Sequence, residues 1–121
     1  MEVNKFFDVE LRGTVTILRL ISEDSIDHLL INELQRAIVM FVEQERPIKL
    51  LVDFSKVRRF SSETINALIR ARRRLLEYHA KMCLCSMRPE IHEVFRLMRL
   101  DGTVFEIVET EEQGIASLNA N

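Results

Sequence analysis

The chain has 121 residues, 47% hydrophobic and 30% charged, with a formal net charge of -2, a composition that excludes a disordered chain, a collagen and a disulfide scaffold. A chain of this length buries roughly two-thirds of the surface its unfolded form exposes, enough for a core without metal or disulfide staples, so residues 1–121 read as one domain. Its most apolar run, Ile38 to Val42, falls far short of the roughly 18 residues that suggest a membrane span, and the charges among its first residues do not match a secretory leader; the expectation is a cytoplasmic protein.

Residues 7–12 alternate apolar and polar side chains, Gly13 turns the chain, and Val15, Ile17, Leu18 and Leu20 continue in a second strand. That pattern predicts a hairpin. Ile26, Leu29, Leu30, Leu34, Ala37, Ile38, Phe41 and Val42 then recur at three- and four-residue steps, the stripe of an amphipathic helix ending before Pro47. Ile31, Val39 and Met40 fall off that stripe and read as surface residues. Residues 48–54 form a nearly continuous apolar strand, the kind covered by helices on both faces.

A polar loop over 55–60 leads to a second helix with Ile65, Leu68, Ile69, Leu75 and Leu76 inward and Arg70, Arg73, Arg74 and Glu77 largely outward. Residues 82–86 are a further buried strand. Its Cys83 and Cys85 share one strand face, which disfavours a bridge between them and predicts two free thiols. Adding His79 leaves a metal site one ligand short, so no metal is expected. Pro89 suits the first turn of a third helix with Ile91, Val94, Phe95 and Met98 inward; residues 104–108 are a last strand and 111–118 a last helix. Strands that alternate with helices need crossover connections, so the fold class is α/β, with an N-terminal hairpin and then a largely parallel mixed sheet of about five strands and four helices.

The small net charge conceals a segregation. Residues 1–52 carry -3, residues 53–100 carry +6 and residues 101–121 carry -5. In open α/β sheets, function gathers at the carboxyl ends of the strands, and the basic block begins at such a place, with Asp53 followed by Arg58, Arg59, Phe60, Ser61, Ser62, Glu63 and Thr64. Ser61 suits a helix N-cap, which accounts for its hydroxyl, and Glu63 opposes the helix dipole in the first turn. Ser62 would then be the first helical residue, its hydroxyl exposed. A phosphate there would lie against the positive end of the helix, close to Arg58 and Arg59.

These residues resemble a known family. Residues 50–57 and 60–69, with the strand at 82–86, the segment 88–95, the Leu100-Asp101 pair and the terminal residues 110–116, are similar in order and spacing to STAS domains, the bacterial anti-sigma factor antagonists. The resemblance implies the fold of that family and places its phosphorylated serine on Ser62, with Ser61 the second candidate. It implies a binding module rather than an enzyme: the unmodified domain binds an anti-sigma factor that is also a serine kinase, through Asp53, Arg58, Arg59, Phe60, Ser61, Ser62, Glu63 and Thr64, and phosphorylation ends the complex. A phosphatase would reverse the modification, and the domain would act as a monomer or weak dimer. The chain departs from the family pattern in carrying Ser61 where many members have aspartate, and Glu63 and Thr64 where Ser and Gly follow. A non-phosphorylated scaffold domain in a multi-protein or transporter-associated complex is the alternative.

Other chemistry finds little support in the sequence. The three glycines are dispersed at 13, 102 and 114, so no phosphate-cradling loop exists and no cofactor is expected. Aromatic residues are sparse in the basic block, which argues against nucleic acid. A receiver-type phosphoryl acceptor at Asp53 would need a further acidic pair, and the candidates Glu23 and Asp24 follow a different topology.

Overall fold

The computed structural model describes residues 6–21, 28–59 and 61–120, of which 28–30 are described by backbone alone. Strands β1 (Phe7–Arg12) and β2 (Val15–Leu20) form an antiparallel hairpin in which Arg12 faces Val15. The two-residue connection puts Gly13 at φ +61°, a left-handed conformation that glycine adopts without a Cβ penalty. There follow α1 (His28–Glu45), β3 (Lys49–Asp53), α2 (Ser62–Glu77), β4 (Lys81–Cys85), α3 (Pro89–Leu97), β5 (Glu106–Val108) and α4 (Glu111–Asn119). The described residues thus carry the expected hairpin, mixed sheet and four helices.

The strands lie side by side in sequence order, β1-β2-β3-β4-β5, and every pair after the hairpin is parallel. Because the chain never reverses its direction along the sheet, crossovers of one hand must put their helices on one face. The packing agrees: Leu18, Leu50, Val52 and Leu84 share a core with Ile38 and Val42 of α1, Leu68 and Leu75 of α2 and Phe95 of α3. The opposite face, with Ile17, Leu51, Cys83 and Cys85, is covered by Leu118 and Ile115 of α4. α4 sits close because it carries Gly114 over the sheet, where a Cβ would lie 2.5 Å from Leu51 Cδ1.

Phe95 stands between Phe54 and Phe105, edge-on to both, with ring centroids 6.2 and 5.9 Å away. This row of rings ties α3 to the end of β3 and so to the loop that leads into α2. Both cysteines are free and buried, and burial, the largest influence on each, pushes both thiols up to about 12.

Several side chains fall elsewhere than the periodicity predicts. Leu76 is 51% exposed, since α2 turns Thr64, Ile65, Ala67, Leu68, Ala71 and Leu75 inward instead. On α3, Val94 and Met98 are exposed and only Ile91 and Phe95 are buried, because this short helix rests on the sheet along one narrow line. Ile31 and Val39, expected at the surface, are buried. Ile31 lies two turns before Ile38 and so on its face, and α1 also packs beside α2, which widens the buried side. Met40 is exposed. Val104 lies in a turn and Phe105 makes only an isolated bridge to Asp101, so the last strand is three residues long. Ile48 and Ser86 lie outside their strands. Ile26, and the side chains of Leu29 and Leu30, lie outside what is described.

All three crossover helices end on a residue in the left-handed region that is not glycine: Arg46 (φ 45°), His79 (62°) and Arg99 (59°). After α2 the Ala80 N–H donates to Leu75 O at 2.9 Å, and after α3 the Leu100 N–H donates to Phe95 O at 2.9 Å. Both pairs close the last turn as a Schellman motif does, with a buried apolar residue just beyond. His79→Gly is expected to stabilise the fold by about 0.5–1 kcal/mol, the relief of the left-handed Cβ penalty less the entropy glycine gains on unfolding. Urea denaturation checks this, and a loss of stability would show that the His79 side chain contributes more than its backbone costs.

Candidate functional site

The loop between β3 and α2 is pinned from inside. Phe54 and Val57 are buried, the Phe54 N–H donates to Cys85 O at 2.9 Å, and the Val57 N–H donates to Phe54 O at 2.9 Å. This tight turn, held by two apolar anchors, leaves Ser55, Lys56, Arg58 and Arg59 exposed. Phe60 lies outside the described residues.

At the end of the loop the two serines divide their work. Ser61 is the N-cap of α2, with φ -110° and ψ 154°; its Oγ accepts from the Thr64 N–H at 3.4 Å and lies 3.2 Å from Thr64 Oγ1. Ser62 is the first helical residue and is exposed. Glu63 is half-buried in the first turn, and Thr64 is buried. From Ser62 the exposed side of α2 continues through Asn66 and Arg70 to Arg73 and Arg74. Arg74 is engaged by Glu43 of α1 at 3.0 Å and by Glu77 at 3.4 Å, surface pairs worth at most about 1 kcal/mol.

Asp53 belongs to the site from beneath. It is 2% exposed, accepts from the Ser55 N–H on Oδ1 at 2.8 Å, and receives the Cys85 thiol on Oδ2 at 3.7 Å. It is also within hydrogen-bonding reach of Glu111, the first residue of α4. Burial, and then the neighbouring Glu111, push its carboxyl above the usual aspartate range, while the bonds from Ser55 oppose the shift. Glu111 is held at about 2 by Arg19, which grips it through Nε at 2.7 Å and Nη2 at 2.9 Å. The sequence reading includes Asp53 but not Arg19 or Glu111. Their separation of 92 residues left no local signal except a lone charged residue in a largely apolar strand.

The structure therefore brings Arg58, Arg59, Ser61, Ser62 and Glu63 to one surface at the carboxyl end of the sheet, and places Asp53 and Thr64 below it. With strand order running from 1 to 5, the described residues form no switch point and no crevice of the kind that doubly wound sheets offer a small ligand. Surface hollows of about 290 and 440 Å³ open elsewhere, beside β5 and the start of α3. Among the described residues no group of three or more His, Cys, Asp or Glu is placed to hold a metal, and no helix is long and apolar enough to cross a membrane. Glu23 and Asp24, the acids weighed for a receiver, lie outside the described residues.

A family model for the STAS domain matches residues 6–114. The chain belongs to the STAS domain family. Comparison with curated protein sequences finds no match, but solved structures share the fold. A Thermotoga maritima protein assigned as an anti-sigma factor antagonist superposes with a TM-score of 0.82 at 15% identity, covering 94% of this chain and 95% of its own. An anti-sigma factor antagonist from Mycobacterium paratuberculosis gives 0.80 at 21% identity, with 94% and 93% covered. The phosphorylated form of the Bacillus cell fate determinant SpoIIAA gives 0.66 at 18% identity, with 92% and 97% covered. At such identities the likeness speaks for the fold, and function has to be argued from the site.

The division between the serines has a measurable consequence. Ser61→Ala is expected to destabilise the protein by about 0.5–2 kcal/mol through loss of the cap, and Ser62→Ala to stay within about 0.5 kcal/mol of the parent. Equal losses in urea denaturation would show that Ser62 also caps the helix.

Proposed function

We propose that this STAS domain is an anti-sigma factor antagonist in the cytoplasm, switched by phosphorylation of Ser62. The observation that carries the reading is the contrast between Ser61, whose hydroxyl is committed to Thr64, and Ser62, which stands exposed one residue later at the positive end of α2. A kinase can reach Ser62 without dismantling the helix start, whereas modifying Ser61 would remove the cap. The domain acts by being bound, not by catalysis.

The partner is a serine kinase that also serves as an anti-sigma factor, and binding it frees the sigma factor. It contacts the exposed loop residues Arg58 and Arg59, the serines, Glu63 and the basic face of α2, with Asp53 and Thr64 shaping the surface from below; the matching partner surface is acidic. Phosphorylation adds roughly -1.5 to -2 charges. Placed in a desolvated contact that already includes Glu63, that charge costs more than the remaining contacts recover. A phosphatase resets the domain. The phosphorylated SpoIIAA structure supports this reading by showing that a protein of this fold exists in such a form.

Ser62→Asp and Ser62→Glu are expected to abolish binding to the cognate kinase-type anti-sigma factor, while Ser62→Ala keeps it, measured by pull-down and titration calorimetry. Equal affinity for all three variants removes the switch. Intact-mass measurement of protein from its own cells separates the scaffold alternative, which requires a stoichiometric complex with no phosphorylated species under any condition.

A further inference from the structure

Beneath the loop between β3 and α2 lies a cluster of charged groups in which, among the described residues, one carboxyl has no ion pair of its own. Arg12 Nη2 meets Glu10 at 2.9 Å, Arg19 Nη1 meets the other oxygen of Glu10 at 2.7 Å, and Arg19 Nε and Nη2 hold both oxygens of Glu111. Two guanidiniums thus answer two carboxylates. The third carboxyl, Asp53, is the most deeply buried of the three, lies opposite Arg19 in the sheet register, and is in hydrogen-bonding reach of Glu111. Among the described residues the other titratable group against it is the Cys85 thiol from β4, which donates to it at 3.7 Å; from the loop it meets the neutral Ser55 amide and hydroxyl.

Two ionised carboxylates at hydrogen-bonding distance repel strongly in a poorly solvated site, and one proton between them turns repulsion into a short charge-assisted bond. The charge settles on Glu111, which has Arg19 and the first turn of α4 to stabilise it. The proton settles on Asp53.

We infer that Asp53 and Glu111 hold a single proton between them, and that this proton fastens the loop presenting Ser61 and Ser62 to the start of α4. Asp53 is then a positioning residue, bonded on one side to the loop backbone and on the other to the helix that covers the far face of the sheet. Loss of the proton sets like charges against each other and loosens the attachment to α4, while the Ser55 N–H bond to the ionised carboxylate tightens, which makes the link between loop and helix proton-sensitive. The inference does not rest on the partner-switching reading, because each bond is internal to this chain.

The signs follow from linkage. The folded state holds the Asp53 proton more tightly than the unfolded chain does, so its contribution is intact below 3.8 and is lost as pH rises through its elevated midpoint. Glu111 acts in the opposite sense, stabilising above 4.5 and losing that contribution as pH falls toward about 2.

The test is a carbon-13 titration of the side-chain carboxyls of the full chain. Asp53 is expected to titrate above 3.8, with the Ser55 amide shift following the same midpoint. Glu111→Gln is expected to lower that midpoint by about one unit or more, a tenfold change in proton affinity, since Arg19 is freed and the opposing charge is gone. An Asp53 midpoint at or below 3.8 overturns the inference, and so does an elevated midpoint that Glu111→Gln leaves unmoved, which would assign the shift to burial alone. Asp53→Asn, which imitates the protonated acid, is expected to keep the fold and to remove the fall in urea midpoint expected of the parent as pH rises above 3.8. If it loses as much stability as Asp53→Ala, the shared proton is wrong.

Discussion

Burying β3 from both sides is the constraint from which the rest of the architecture follows. Leu50 and Val52 face α1, α2 and α3 while Leu51 faces α4, so the central strand has no solvated face and both layers of helix are needed. A sheet that grows in one direction puts its three crossover helices together on one side. The other side is left to whatever follows the last strand, and α4 fills it, coming close enough that Gly114 leaves room for the Leu51 side chain.

The same strand delivers the chain to its candidate site. Asp53 closes β3 and the backbone turns at once through Phe54 and Val57 into the cap of α2. The exposed loop residues owe their positions to groups beneath them: the Phe54, Phe95 and Phe105 rings on one face of the sheet and the Asp53, Glu111 and Arg19 cluster at its carboxyl edge. On the proposed function, a surface that presents a hydroxyl for modification and then alters its affinity for a partner needs such support, because a loose loop would blur the difference between the two states.

Much of this was legible in the residues. The hairpin, the central strand, the helix stripe from Leu34 to Val42 and the cap at Ser61 each follow from a local pattern that packing did not override. The errors have a common cause. Period alone marks which side chains are apolar, and it does not say how wide the buried face of a helix is. α1, which packs beside α2 as well as over the sheet, buries Ile31 and Val39, whereas α3 touches along a narrow line and leaves Val94 and Met98 in water. Helix ends were harder to place because three of them use Arg46, His79 and Arg99 in the conformation that glycine would signal.

The sequence by itself determined the alternation of strands and helices, the family, and the pair of serines at the start of α2, since all of these depend on residues near one another in the chain. Tertiary structure alone decided that Asp53 is buried beneath the exposed residues of the candidate site, and that its neighbours are Arg19 and Glu111, 92 residues apart from each other. Those relations are set by strand order and by the seating of α4 across the sheet. Charge pairing at that range leaves no pattern in the chain until the fold brings the groups together.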